Sequence, residues 1–189
     1  MPYVGQTITE VFPTSISVDS ATISGNTTIG GTLGVTGATT LSNQLTDANM
    51  SAGSVLQVVN ASTTTEVSTT SDTFIDTGLT ASITPSSTSS KILVLYTLQQ
   101  FINASAGVSK FKLFRASTEL ILHGFQGYAG GSTQMSKAPH QFLDSPSTTS
   151  ATTYKVQFNS AAGGHNVVMQ YDDSNGDGFS TMTLMEIAG

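Results

Sequence analysis

Residues 23–43, ISGNTTIGGTLGVTGATTLSN, constrain this chain more than any other stretch, because they repeat every six residues. Ile23, Ile29, Val35 and Leu41 recur at that spacing, and Gly25, Gly31 and Gly37 follow each of the first three two places later. A helical stripe would repeat at three and four, and a half-buried strand at two. Six is a multiple of two, so each unit fits a short strand closed by a glycine-assisted turn. One apolar residue in six cannot hold a single chain together. Burying it contributes roughly 1.5–3 kcal/mol, whereas ordering six residues costs about 1–2 kcal/mol each in backbone entropy. The segment is therefore either a disordered linker, as its Gly and Thr content allows, or part of an intertwined multi-chain shaft. The shared register of the apolar and glycine positions favours the shaft. Ile23, Ile29, Val35 and Leu41 would form its axial core, and Gly25, Gly31 and Gly37 its turns.

The chain of 189 residues is long enough for one substantial core and a short extension. No Lys or Arg precedes Lys91, whereas Glu10, Asp19, Asp47, Glu66, Asp72 and Asp76 all do. A formal net charge of −6 without a basic patch argues against nucleic acid or an anionic membrane as the partner. The absence of Cys excludes disulfides, thiolate chemistry and Cys-ligated zinc. No apolar run approaches the ~18 residues of a membrane span. Residues 1–20 carry neither a basic nor an apolar signal region, so no cleaved export peptide is expected.

The sequence divides into an arm at 1–20, the repeat and a connector at 21–53, and a strand-rich domain at 54–189. Tyr3, Val4, Ile8, Val11 and Phe12 make the arm mildly apolar and suited to docking on another protein. Strands are expected at 55–59, 73–78, 79–84, 91–102, 108–116, 119–124, 153–160, 166–172 and 179–187, where β-branched and aromatic residues dominate. In TYKVQF, Tyr154, Val156 and Phe158 point one way and Lys155 and Gln157 the other. Phe111 and Leu113 likewise oppose Lys110 and Lys112. Polar clusters such as TPSSTSS at 84–90 and DSPSTTSATT at 144–153 punctuate them. The expected fold is all-β, with the arm and shaft followed by a jelly-roll-like β-sandwich head.

No constellation of residues predicts catalysis. Asp173, Asn175 and Asp177, followed by Gly178, match the opening of a calcium-binding EF-hand loop, but the twelfth position is Leu184 and the flanks are strand-like. A tight hairpin turn at Asn175-Gly176 is the favoured reading, with calcium as the weak alternative and no other metal or cofactor expected. His123, His140 and His165 stand in separate segments without ligand spacing and read as ordinary surface or hydrogen-bonded histidines. No nucleophile elbow, phosphate loop or facing carboxylate pair is present. The segment GFQGYAGGSTQMS, 124–136, offers Phe125, Gln126, Tyr128 and Gln134 as a stacking and hydrogen-bonding patch for a receptor. The alternative is that Phe125 and Tyr128 pack back onto the sandwich.

SGNTTIGGTLGVTGATTLS resembles the Gly/Thr-rich repeats of bacteriophage tail fibres and related virion fibres. The span from VVNASTTTEVSTTSDTFIDTGLTASITPSSTSSKILVLYT to the terminal STMTLMEIAG resembles a small head domain common in phages. The resemblance implies a homotrimeric fibre in the virion, assembled in the host cytoplasm. Its N-terminal arm would dock on another virion protein, and its distal head would touch a host surface glycan or protein. It carries over no catalytic residue. A capsid decoration or head fibre would share this architecture. A polysaccharide-degrading spike enzyme and a calcium-dependent bacterial surface module are the rivals from other classes.

Overall fold

The computed structural model describes residues 34, 36–37, 50–103, 107–126, 134–161, 164–172, 176 and 178–189. The chain divides into units at Met1–Ser42 and Asn43–Gly189, and the account below concerns the second. Ten strands form there: β1 (Val55–Thr63), β2 (Val67–Thr69), β3 (Ile75–Ile83), β4 (Lys91–Asn103), β5 (Val108–Arg115), β6 (Thr118–Gln126), β7 (Gln134–Asp144), β8 (Thr152–Ser160), β9 (Asn166–Met169) and β10 (Ser180–Ile187). They build two antiparallel sheets, and the described residues contain no helix, as expected of an all-β chain. Sheet A runs β1-β10-β4-β9-β2, with β7 on the free side of β4; sheet B runs β3-β8-β5-β6. The chain crosses between the sheets at most connections, in the manner of a jelly roll.

Alternation places the core between the sheets. Leu79, Ile83, Phe111, Leu113, Tyr154, Val156 and Phe158 come from sheet B, and Ile92, Val94, Tyr96, Leu98, Met169, Met182 and Leu184 from sheet A. Every second residue of β8 and β10 is buried, and Tyr154, Val156, Phe158, Met182 and Leu184 are its apolar members, the period that a half-buried strand requires. Two expected strands, 73–78 and 79–84, are one. Gly78, at φ +82°, absorbs a bulge between Asp76 and Thr80 without ending the pairing with β8. The expected strand at 166–172 stops earlier, at Met169, and Gln170 follows at φ +53°.

Sequence reading missed β7 altogether and treated its start as loop. Its inward positions carry Ser136, Ala138, His140 and Asp144, with Phe142 the one large apolar residue. Pro139 sits in its middle. β7 pairs only with β4, and such an edge position tolerates a residue without an N–H. Side chains then pin this edge to sheet B. Asp144 (5% exposed) accepts two hydrogen bonds from Arg115 Nη1, at 2.8 and 2.9 Å, and one from the Tyr154 hydroxyl at 2.6 Å. Burial, and secondarily the Asp144 carboxylate, raise the Tyr154 phenol well above its ordinary range. In the same inward row of sheet A, across Ile92 from Asp144, the buried Glu186 accepts bonds from Gln57 Nε2 and from the Ser86 N–H and hydroxyl. Burial alone would raise its carboxyl, but these donors outweigh it and hold it below the usual range.

Candidate functional site

The two sheets present unlike outer faces. On sheet B, outward positions carry Asp76, Lys110, Lys112, Glu119 and Lys155. Lys112 pairs with Glu119 at 2.7 Å and Lys155 with Asp76 at 3.0 Å. Lys112 also lies 4.5 Å over the Phe74 ring. This is a solvated face.

Register defines the outer face of sheet A as rows across four strands. One row is Val58–Met185–Leu93–Leu143, from β1 through β10 and β4 to β7. The next is Asn60–Thr183–Leu95–Gln141, and the third Ser62–Thr181–Thr97–Pro139. A fourth, Val55–Ile187–Lys91, closes the end nearest the start of β1. Lys91 is the one ionisable residue in these rows. Val55, Val58 and Leu143 are each about half exposed, at 51%, 55% and 52%. Scattered exposed apolar residues are ordinary, but a contiguous uncharged patch marks a contact surface. A detectable signal existed in the sequence: β4 and β10 are apolar on both phases of the alternation, Leu93 and Leu95 beside Ile92 and Val94, Met185 and Ile187 beside Leu184. Such strands are characteristically covered on both sides.

The structure corrects the reading of the histidines as separate. His123 on β6 and His140 on β7 stack with ring centroids 4.2 Å apart, and Tyr96 Oη lies 2.7 Å from His123 Nε2. The pair joins the edge strand of sheet B to that of sheet A, with Phe111 against His140. Burial, and secondarily the His123 ring beside it, pull the His140 imidazole down to about 4; burial also lowers His123. The folded state thus holds neutral rings that the unfolded chain protonates near pH 6.5. Stability is therefore fully present above that value and falls as pH drops from about 6.5 towards 4. Urea denaturation at pH 7 and pH 5 checks this. The midpoint is expected to drop at pH 5, and His140→Gln to flatten that drop; a midpoint that is equal at both values contradicts it.

Of the proposed receptor residues, Phe125 and Gln126 end β6 and Gln134 starts β7, so part of the supposed loop is strand; Tyr128 lies outside the described residues. Asp173, Asn175 and Asp177 lie outside them too. At their turn Gly176 adopts φ +78° and its N–H donates to Asp172 Oδ1 at 3.0 Å. Among the described residues no three His, Cys, Asp or Glu gather as a metal site would need, and no helix is long and apolar enough to cross a membrane. Tyr3, Val4, Ile8, Val11, Phe12, Ile23, Ile29, Val35, Leu41, Gly25 and Gly31 fall outside the described residues; Gly37 is an exposed bend.

No protein-family model matches the chain, and no curated protein does. Among solved structures it is similar to that of the Gx strain of infectious bursal disease virus, at 9% identity and a TM-score of 0.37, over 71% of this chain and 37% of that one. It is also similar to the VP2 subviral particle of infectious bursal disease virus, at 13% identity and a TM-score of 0.36, over 70% of this chain and 37% of that one. The chain spans little more than a third of the length of either. Likeness of this size leaves function to be argued from the residues themselves.

Proposed function

We propose that the chain is a non-catalytic structural fibre protein of a bacteriophage virion. It acts as a homotrimer, docked by its N-terminal arm on another virion protein, with the β-sandwich as a head for attachment to the host. The observation that carries this reading is the outer face of sheet A, where the Val58–Met185–Leu93–Leu143 row is apolar and Lys91 is the one ionisable residue in the four rows. The repeat needs several chains to bury its apolar column. The likeness of the repeat and of the head's opening and closing segments to phage fibres supports the particle and the trimer.

Three linked heads make weak binding sufficient, because tethering raises apparent affinity by roughly 10²–10⁴ without new contacts. Imaging of particles with the head labelled tests the placement. The label is expected at the tail, and excess soluble protein is expected to slow adsorption to host cells. A label on the shell with adsorption unaffected would replace attachment by capsid decoration.

A further inference from the structure

The two long sides of the sandwich are closed by different means. On one side the edges are β1 and β2 of sheet A and β3 of sheet B. The chain passes directly from β2 to β3 there, and Gln57 Nε2 donates to the Thr84 carbonyl at 2.7 Å. The Gln170 amide, oriented to suit its surroundings, donates to the Thr65 and Thr77 carbonyls at 3.0 and 3.1 Å. The Ser160 N–H reaches the Ser71 carbonyl at 2.9 Å and ties β8 to the same connection. On the other side the edges are β6 and β7, each paired with one strand and not with each other. Among the described residues, side chains close that side.

Asp144, with Arg115 and Tyr154, holds one end of it. At its middle His140 stands opposite the inward Tyr96 of β4, and His123 opposite the inward Phe111 of β5, so the stacked rings lie between the sheets. The groups that face them are uncharged: the Tyr96 hydroxyl on His123 and the Phe111 ring against His140. Lys110 and Lys112 are on the opposite face of β5. Glu119, further back on β6, pairs with Lys112, and Asp144, further along β7, pairs with Arg115. No ion pair among the described residues includes either ring. His140 Nε2 is buried and has no hydrogen-bond partner. An imidazolium carries two N–H donors, so protonating His140 in place would leave a buried cationic donor unsatisfied. Protonating both would set like charges on rings 4.2 Å apart. Parting the two edges removes both costs, because water then solvates the rings.

We propose that the His123–His140 stack is an acid-released latch: on acidification the head parts along its β6–β7 side while the β1–β3 side stays joined. Overall stability falls with the same protons; the latch adds that the loss is taken up first at one side. His140 at about 4 in the closed head, against an ordinary 6.5, makes a state in which its ring meets water roughly twentyfold more populated at pH 5 than at pH 7. The bonds across the β1–β3 side join amides, hydroxyls and carbonyls, which do not titrate. Glu186, which Gln57 also bonds, is held below the usual carboxylate range and keeps its charge through that window. The latch depends on the sandwich alone and stands whether or not the chain is a fibre.

Thiol labelling of the full chain, which has no cysteine of its own, locates the opening. Ala138→Cys puts a thiol on the inward face of β7, two residues from His140, where the native side chain is 4% exposed. Ala81→Cys puts one on the inward face of β3, where it is 7% exposed. A dipyridyl disulfide reacts with thiols in acid as well as at neutrality, and each rate is divided by that of a cysteine peptide at the same pH. Ala138→Cys should label at least about tenfold faster than Ala81→Cys at both pH 7 and pH 5. Its normalised rate should rise roughly twentyfold from pH 7 to pH 5. Replacing His123 and His140 by Gln in that chain should remove the rise. Ser109→Cys, a near-isosteric change at a fully buried position of β5 paired with Phe125 of β6, repeats the measurement if Ala138→Cys does not fold. Equal rates at the two sides at pH 5 would show that the head opens only as a whole and overturn the latch. So would the absence of a rise, or a rise that survives the loss of both histidines.

Discussion

Leu93→Asp is expected to turn the proposed trimer into a monomer without unfolding the head. Leu93 lies within the Val58–Met185–Leu93–Leu143 row and is half-buried in the single chain; the proposed association would cover it. Losing its burial forfeits roughly 1.5–3 kcal/mol, and placing a carboxylate in an apolar contact adds a desolvation cost of at least that size. A trimer suffers this at three positions, so the expected shift in the association constant is many orders of magnitude. Leu122→Asp is the matched control. Leu122 is a comparably exposed leucine (49%) on the outer face of sheet B, among Lys112 and Glu119. It should leave the mass unchanged. A Leu93→Asp chain that sediments like the native one would show that this face is not the contact.

Asp144→Ala is expected to cost about 3–5 kcal/mol of stability, the largest effect of any single polar replacement in the head. It strips the buried Tyr154 hydroxyl of its acceptor and the Arg115 guanidinium of its carboxylate in one step. For a domain of this size that lowers the melting temperature by roughly 10 °C. Tyr154→Phe removes one bond alone and should cost about 1 kcal/mol. Replacing Arg115 and Asp144 together by Leu should cost less than the sum of the single changes, because no charge is then left without a partner. Thermal unfolding of these variants and of the two single leucine replacements decides it; additive losses would mean that the three side chains do not act as a unit.

The sandwich was legible wherever one face of a strand is apolar and the other polar. Tyr154, Val156 and Phe158 alternate with Lys155 and Gln157 as read, and all three apolar side chains are fully buried. Phe111 and Leu113 behave likewise. Legibility failed where the edge of the sandwich is filled by polar side chains. β7 turns His140 and Asp144 inward, so its pattern carries no hydrophobic period, and Pro139 argues against a strand unless its edge position is known. The stacked histidines were invisible for the same reason, since strand pairing rather than sequence spacing brings β6 and β7 together. The receptor candidates show the opposite failure. Aromatics among glycines read as loop, yet Phe125 and Gln126 continue β6.

Self-association is the central claim, and sedimentation equilibrium of the full chain tests it most directly. The predicted mass is about three times that of the 19.6 kDa chain. It should persist at high salt, because an apolar, nearly uncharged face owes little to charge attraction that salt would screen. A single-chain mass at micromolar concentration would contradict it.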